Sequence, residues 1–277
     1  MRRTVSADIA FTTVAGATQV ALLIAVAQAP GLPIDDSLTV TLDGADVEVV
    51  EVGGPHHGIM HLVQLDAGTP RGGKVRIGYR AEVDGDPLEA IERAPEPSTV
   101  DLLTYLRPSR YAESDRLLPT ACREFGKLHG LELINAVGSY VNRRLAYVPG
   151  SSRFTDGAVE TLLHAASVCR DYAHLVVALL RGLDVPARLS AVYAPGLTPM
   201  DFHAVAEAWV EGHWHVVDAT RLAPRASLLR ISTGRDAADT AFLSRYGAGL
   251  IMRPQIVTAT VDGHLPVEDP DAAVRLP

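Results

Sequence analysis

The stretch ASVCRDYAHLVVALLRGLDVPAR, residues 166–188, predicts an amphipathic helix that begins close to a cysteine. Ser167 is a good N-cap residue and would place Cys169 in the first helical turn. Gly182 and Pro186 indicate where the helix ends. An apolar stripe at spacings of four, four and three is formed by Tyr172, Val176, Leu180 and Leu183. A thiol in the first turn lies beside unpaired backbone N–H groups, which favour the thiolate and could stabilise an oxyanion.

A second stretch, DFHAVAEAWVEGHWHVVDATRLAP at residues 201–224, predicts a β-hairpin. Residues 211–212, Glu-Gly, fit a two-residue turn with glycine where a positive φ is needed. In that register Val205 opposes Asp218, and His203 is the diagonal neighbour of Asp218 on the same face. A three-residue loop would shift the register by one and place His203 and Asp218 on opposite faces.

A histidine held by an aspartate is a base of fixed tautomer, because the carboxylate accepts from one ring nitrogen while the other nitrogen takes a proton. Cys169, His203 and Asp218 therefore form a candidate catalytic triad. Taken singly, each has a simpler explanation: a cysteine that packs in the core, a satisfied histidine and a strand-end carboxylate. His174 lies five residues after the cysteine on the same helix and should face away from the thiol as a packing residue.

Charge and composition exclude several functions. Lys and Arg number 25 against 33 Asp and Glu, so the net charge of −8 disfavours nucleic acid and anionic membrane surfaces as partners. No phosphate-binding glycine loop is present. His213 and His215 share a strand face but have no carboxylate or cysteine at ligand spacing, so we expect no metal and no cofactor.

Only two cysteines occur among the 277 residues, which favours a reducing cytoplasm over a disulfide framework. Cys122 lies in a helical pattern and is expected to be a small buried hydrophobic residue. The apolar run at residues 20–27 superficially resembles a signal peptide but is too short to span a bilayer. It fits a strand better.

Composition changes along the chain predict three parts. Residues 1–94 alternate in polarity and are expected to form a small antiparallel β-sandwich-like domain. Its first two strands are expected to form a hairpin about residues 15–17. Prolines near residue 95 mark the boundary to a catalytic core at 95–225, in which helices are predicted around residues 115–128 and 131–147. Residues 226–277 are expected to pack as an extension on either part.

The ordered blocks resemble the bacterial transglutaminase-like superfamily, of the papain-like cysteine protease and amidase type. The family pattern is a G-V-C-x-D-[FY]-A-H helix, a G-[IV]-P-A-R strand entry, an H-A strand and a W…D-[PA]-T strand. The matching positions are Cys169, Asp171, Tyr172, Ala173, His174, Pro186, Ala187, Arg188, Tyr193, His203, Glu207, Trp214, Asp218 and Thr220. Ser167 replaces a usual glycine, and HAVAEAWV departs from the commoner His-Ala-Trp-x-Glu order.

The resemblance implies an α+β fold in which the cysteine helix packs on an antiparallel sheet, preceded by the β-domain. It implies Cys169 as nucleophile, His203 as base, Asp218 as orienting acid and a thioester intermediate. Hydrolysis of a peptide or amide bond in a peptide or protein substrate is the expected reaction. The alternatives are transamidation to an amine and a non-catalytic binding module. The backbone N–H of Cys169 is one oxyanion donor, and Tyr147 or Trp214 could be the second. The oligomeric state is left open.

Overall fold

The computed structural model of the protein describes residues 1–14, 16–67, 72–85 and 87–277. In chain order the strands are β1 (Arg3–Thr13), β2 (Gly16–Leu22), β3 (Ile34–Leu42), β4 (Ala45–Asp46), β5 (Val49–Gly53), β6 (Ile59–Ala67), β7 (Lys74–Val83), β8 (Ala146–Tyr147), β9 (Ala166–Ser167), β10 (Ala187–Tyr193), β11 (His203–Val210), β12 (His213–Val217), β13 (Leu229–Gly234), β14 (Leu243–Gly247), β15 (Leu250–Met252) and β16 (Ile256–Val261). The helices are α1 (Pro87–Arg93), α2 (Thr99–Thr104), α3 (Ser114–Phe125), α4 (Gly130–Arg144), α5 (Ala158–His164), α6 (Cys169–Arg181) and α7 (Ala237–Thr240). Strands before and after a central helical region confirm the predicted α+β class.

Two antiparallel sheets are formed by the N-terminal strands together with strands from near the C-terminus. One sheet runs β15-β1-β7-β3-β4 with β16 also paired to β1, and the other runs β14-β2-β6-β5. Alternate residues of β1 point inward, and Val5, Ile9 and Phe11 are buried in the shared core. The strands at 243–261 therefore complete the N-terminal sheets. The division of the chain at residues 94 and 225 stays a prediction.

The predicted hairpin of the first two strands is wrong. β1 pairs with β7, β15 and β16, whereas β2 pairs with β6 and β14 in the other sheet. Each strand has a buried face, and placing the strands in facing sheets buries both faces against one another. Ala15 of the predicted turn lies outside the described residues. The apolar run at residues 20–27 forms a strand only as far as Leu22, where β2 ends, so the predicted strand is wrong for residues 23–27.

The core sheet has the order β12-β11-β10-β13 and carries α6 on one face. Ala206 and Ala208 on β11 are small, so the helix can approach the sheet closely. Helices α3, α4 and α5 surround the other sides of α6. The sequence predicts a single apolar stripe, but Leu175, Val177 and Leu179 are also fully buried because the helix is enclosed on all sides.

The helices predicted around residues 115–128 and 131–147 are present as α3 and α4, but the predicted burial of Cys122 is wrong. Cys122 is exposed and unpaired. The buried residues of α3 include Leu117, Ala121 and Phe125, at a spacing of four. Cys122 follows Ala121 by one residue, which turns its side chain about 100° away from that stripe.

Candidate active site

The β11–β12 hairpin has the predicted two-residue turn. Glu211 and Gly212 both have positive φ, 52° and 79°, as a type I′ turn requires. Val210 pairs with His213, and the same register continues along both strands to the pair Ala206 and Val217. The turn therefore decides which residues of the two strands meet.

This register brings His203 and Asp218 into contact. His203 Nε2 lies 2.9 Å from Asp218 Oδ2, and both side chains are buried. The second carboxylate oxygen, Oδ1, accepts from the Thr220 backbone N–H at 2.9 Å and from its hydroxyl at 2.7 Å. Thr220 thus fixes the carboxylate that orients the imidazole, and the D-A-T signature was the sequence signal for it.

Cys169 is the first residue of α6. Val168, in extended conformation, is the N-cap, so the helix begins one residue later than a Ser167 cap predicts. Ser167 instead pairs with Tyr147 in the short parallel β8–β9 ladder. The Asp171 carboxylate accepts from the Val168 N–H at 3.2 Å and stabilises the first turn in place of an N-cap side chain.

The buried imidazole and carboxylate are electrostatically coupled to the thiol, which is only partly buried. The Cys169 thiol is close enough to the His203 ring to contribute to the raised pKa of His203. Because Asp218 occupies Nε2, the nitrogen that remains for the thiol is Nδ1, which is buried with no hydrogen-bond partner among the described residues. Burial alone would lower the pKa of His203, but the Asp218 charge, its hydrogen bond and the thiol together raise it. The pKa of Asp218 is lowered, since the His203 charge and the bonds from His203 and Thr220 outweigh its burial.

Tyr147, one of the two candidate oxyanion donors, lies near this group. Burial, followed by the charge of Cys169, raises the pKa of Tyr147 to about 12. Trp214, the other candidate oxyanion donor, instead packs on Arg188 and meets Tyr105 edge to face.

Arg170 was not anticipated from the sequence. Its guanidinium reaches from the first turn of α6 to Ser152 Oγ at 2.6 Å and the Arg153 carbonyl at 2.7 Å, and it also pairs with Asp171. These contacts tie residues 152–153 to the helix start. No local pattern relates Arg170 to that distant segment, so the sequence carried no signal for it.

His174 lies away from the thiol, as its position on the helix predicts. It is fully buried, stacks on Tyr111 with ring centroids 5.2 Å apart and accepts from the Ala237 N–H at 3.1 Å. Burial lowers its pKa to about 3. His174 is therefore a neutral packing residue.

Among the described residues, no group of three or more His, Cys, Asp or Glu side chains could hold a metal ion. The described helices include none long and apolar enough to cross a membrane.

Comparison with known proteins identifies the fold and the family. Residues 119–219 match the family model of the transglutaminase-like superfamily. The crystal structure of "a Putative Cysteine Protease from Cytophaga hutchinsonii" is 30% identical, with a TM-score of 0.84, over 99% of this chain and 96% of that one. The periplasmic domain of TgpA from Pseudomonas aeruginosa is 16% identical, with a TM-score of 0.44, over 78% of this chain and 87% of that one.

A curated relative is more distant. "Uncharacterized protein ML0607" from Mycobacterium leprae (strain TN) is 24% identical over 153 residues, which are 52% of this chain. The match spans 55% of the length of that relative. The family model and the full-length structural match agree with the predicted papain-like core behind an N-terminal β region. The chain belongs to the transglutaminase-like superfamily.

Proposed function

We propose that the protein is a cysteine hydrolase that cleaves peptide or amide bonds through Cys169, His203 and Asp218. The observation that carries the proposal is the buried His203–Asp218 pair, at 2.9 Å, beside a thiol at the start of a helix. A nucleophile next to a base that a third group orients is the arrangement that covalent catalysis needs.

Acylation follows from this geometry. The Cys169 thiol gives its proton to Nδ1 of His203, and the thiolate sulfur attacks the substrate carbonyl carbon, so that a C–S bond forms and the π electrons move to oxygen. His203 then donates the proton to the leaving nitrogen, the C–N bond breaks and a thioester remains. Asp218 stabilises the imidazolium throughout and is not itself protonated.

Water completes the reaction. His203 takes a proton from water as its oxygen attacks the thioester carbon, the C–S bond breaks and the thiol is restored. The oxyanion is stabilised by backbone N–H groups at the start of α6, which lack carbonyl partners within the helix. The phenol of Tyr147 is the second donor; its raised pKa keeps the hydroxyl protonated and able to donate.

Water and an amine are competing acceptors of the acyl group. The similarity to the Cytophaga hutchinsonii structure, described as "a Putative Cysteine Protease", supports water as the acceptor. Mass analysis of a glutamine-containing peptide, incubated with and without a primary amine, distinguishes them. Cleavage or deamidation that the amine leaves unchanged is expected, whereas a product carrying the amine would establish the transamidase. No product of either kind, together with an unreactive Cys169, would indicate a binding module.

Thiol labelling tests the site without a known substrate. We expect iodoacetamide to alkylate Cys169 faster than Cys122 at neutral pH, although Cys122 is the more exposed, because His203 accepts the Cys169 proton. Site-resolved mass spectrometry measures both thiols in one sample, so that Cys122 is an internal control. His203→Gln should slow the alkylation of Cys169 and leave the alkylation rate of Cys122 unchanged. Equal rates in the wild type would contradict the assignment of an activated thiol.

Three broader proposals accompany this function. The substrate is a peptide or protein. The unpaired state of Cys122 and Cys169 supports a cytoplasmic location. We also retain a β-domain at 1–94, a catalytic core at 95–225 and an extension at 226–277 as the division of the chain.

A further inference from the structure

A cavity of about 960 Å³ lies between the N-terminal sheets, the segment that leads into the core, the core sheet and the C-terminal tail. Its walls include residues 53–59, 90–92 and 94–97, both tryptophans and the tail residues 275–277. Its described lining contains none of Cys169, His203 and Asp218. The volume is at the upper end of the range for small-molecule sites.

Two buried arginines line this cavity, and one of them has unused donors. Arg188 and Arg230 are 6% and 7% exposed. Arg230 binds both oxygens of Glu207, at 2.6 and 2.9 Å. Arg188 gives Glu207 only its Nε–H, at 3.0 Å, and its two terminal nitrogens donate to no residue that the structure describes.

The two guanidinium groups are neutralised to different degrees. Glu207 pairs with both, and Arg230 Nε also donates to the Pro277 oxygen at 3.2 Å. Burial lowers the pKa of Arg188 despite Glu207, whereas the stronger pairing with Glu207 raises that of Arg230. His56, also in the lining, does not add charge, because burial and then the two arginines lower its pKa to about 4. Arg188 is therefore the guanidinium of the inner wall that keeps free N–H donors among the described residues.

Aromatic rings surround the same donors. The Trp214 ring covers one face of Arg188, with Cζ 4.0 Å from the ring centroid. Trp209 packs against Trp214 at 5.5 Å, and both are half-buried in the cavity wall. A flat apolar group can stack there while an oxyanion takes the Arg188 donors.

The acidic side chains of the lining are accessible to solvent. Glu51, Glu92 and Glu96 are exposed and Asp101 is half-buried, so salt screens their repulsion of an anion. Arg188 is buried, where the effective dielectric constant is lower, so its attraction for an anion is stronger than the repulsion from the exposed carboxylates.

We infer that this cavity is a binding site for a small carboxylate that carries an aromatic or other flat apolar group. The carboxylate takes the free Arg188 donors, and the flat group packs on Trp209 and Trp214. This site is separate from the thiol and does not depend on the proposed hydrolysis.

Trp209 and Trp214 are the only tryptophans in the chain, so tryptophan fluorescence reports on this cavity alone. The probes are 3-phenylpropionate, the neutral 3-phenylpropanol and acetate. We expect 3-phenylpropionate to change the emission with a Kd at least about tenfold below those of the other two, because it alone has both groups. No change in emission, or equal affinity for the alcohol, would overturn the inference.

Substitutions at Arg188 and Gly53 test whether 3-phenylpropionate binds in this cavity. Arg188→Met should weaken it at least about tenfold. Gly53 also lines the cavity, and a Cβ there meets no atom within 4 Å, so Gly53→Leu should fold normally and narrow the cavity. Gly53→Ala is the matched control that leaves most of the volume. If Arg188→Met does not fold, the Gly53 pair decides: unchanged affinity in Gly53→Leu would overturn the site, and weaker binding than in Gly53→Ala would support it.

Discussion

Cys169→Ala is expected to abolish cleavage of peptide or amide substrates and to leave the fold intact. Removing the nucleophile of such a unit costs roughly 10⁴-fold or more in kcat. The side chain is small, only partly buried and at the first helical position, where alanine is well tolerated, so the loss of stability should stay below about 1 kcal/mol. Steady-state kinetics and thermal melting measure the two effects.

Two further variants, Cys122→Ala and His203→Gln, test this prediction. Cys122→Ala removes the other thiol from an exposed helix position and should change neither quantity. His203→Gln keeps an N–H donor for buried Asp218 but removes the base, so its loss of activity should approach that of Cys169→Ala. The double variant should be no less active than the worse single variant, since members of a catalytic unit are not additive. Retained activity in either single variant would contradict the role given to that residue.

Glu207→Gln is expected to destabilise the protein by about 3–5 kcal/mol, because it leaves two buried guanidinium groups without a counter-charge. The carboxylate is fully buried and accepts from Arg188, Arg230 and the Ser190 hydroxyl. Chemical denaturation gives the change in free energy of unfolding. Glu89→Gln is the matched control: its partner Arg93 is half-exposed and one turn away, so the change should be within about 0.5 kcal/mol.

The pH dependence of stability provides an independent measure of the ion pairs that Glu207 makes with Arg188 and Arg230. The two arginines lower the pKa of Glu207 far below its unfolded value despite burial. A carboxyl group with a lowered folded pKa adds stability above its unfolded pKa of about 4.3, and that stability is lost as the pH falls further. The wild type should therefore lose stability more steeply below about pH 4 than Glu207→Gln does. Two results would contradict the stabilising role of these ion pairs: pH profiles of equal slope for the wild type and Glu207→Gln, or a loss of unfolding free energy below about 1 kcal/mol in Glu207→Gln at neutral pH.

The hairpin that joins the candidate base and acid was predictable because residues close together in the sequence determine its register. A Glu-Gly turn with two positive φ angles decides the register, and a strand period of two then decides the face, so His203 meets Asp218. The helix carrying Cys169 was predictable for the same reason, to within one residue at its start. Family resemblance linked the two segments, which lie 34 residues apart from cysteine to histidine.

Other features depended on which segments pack together. Polarity alternation identified β1 and β2 as strands but not their partners, and they lie in different sheets. The helical pattern correctly predicted that Cys122 lies in a helix. It did not predict which face of that helix would be covered by other elements, and Cys122 is exposed. Tyr147 lies near the helix start that carries Cys169 because β8 pairs with β9, and no spacing rule relates these two strands.

By itself, then, the sequence determined the elements of the site: a thiol at a helix start, and a histidine and an aspartate placed on one face by a two-residue turn. These follow from backbone geometry over a few residues. The tertiary structure alone decided the enclosure of α6, the recruitment of residues 243–261 into the N-terminal sheets and the cavity where Arg188 has free donors. Each of these joins segments distant in sequence, and the burial of apolar faces, rather than local preference, selects which segments meet.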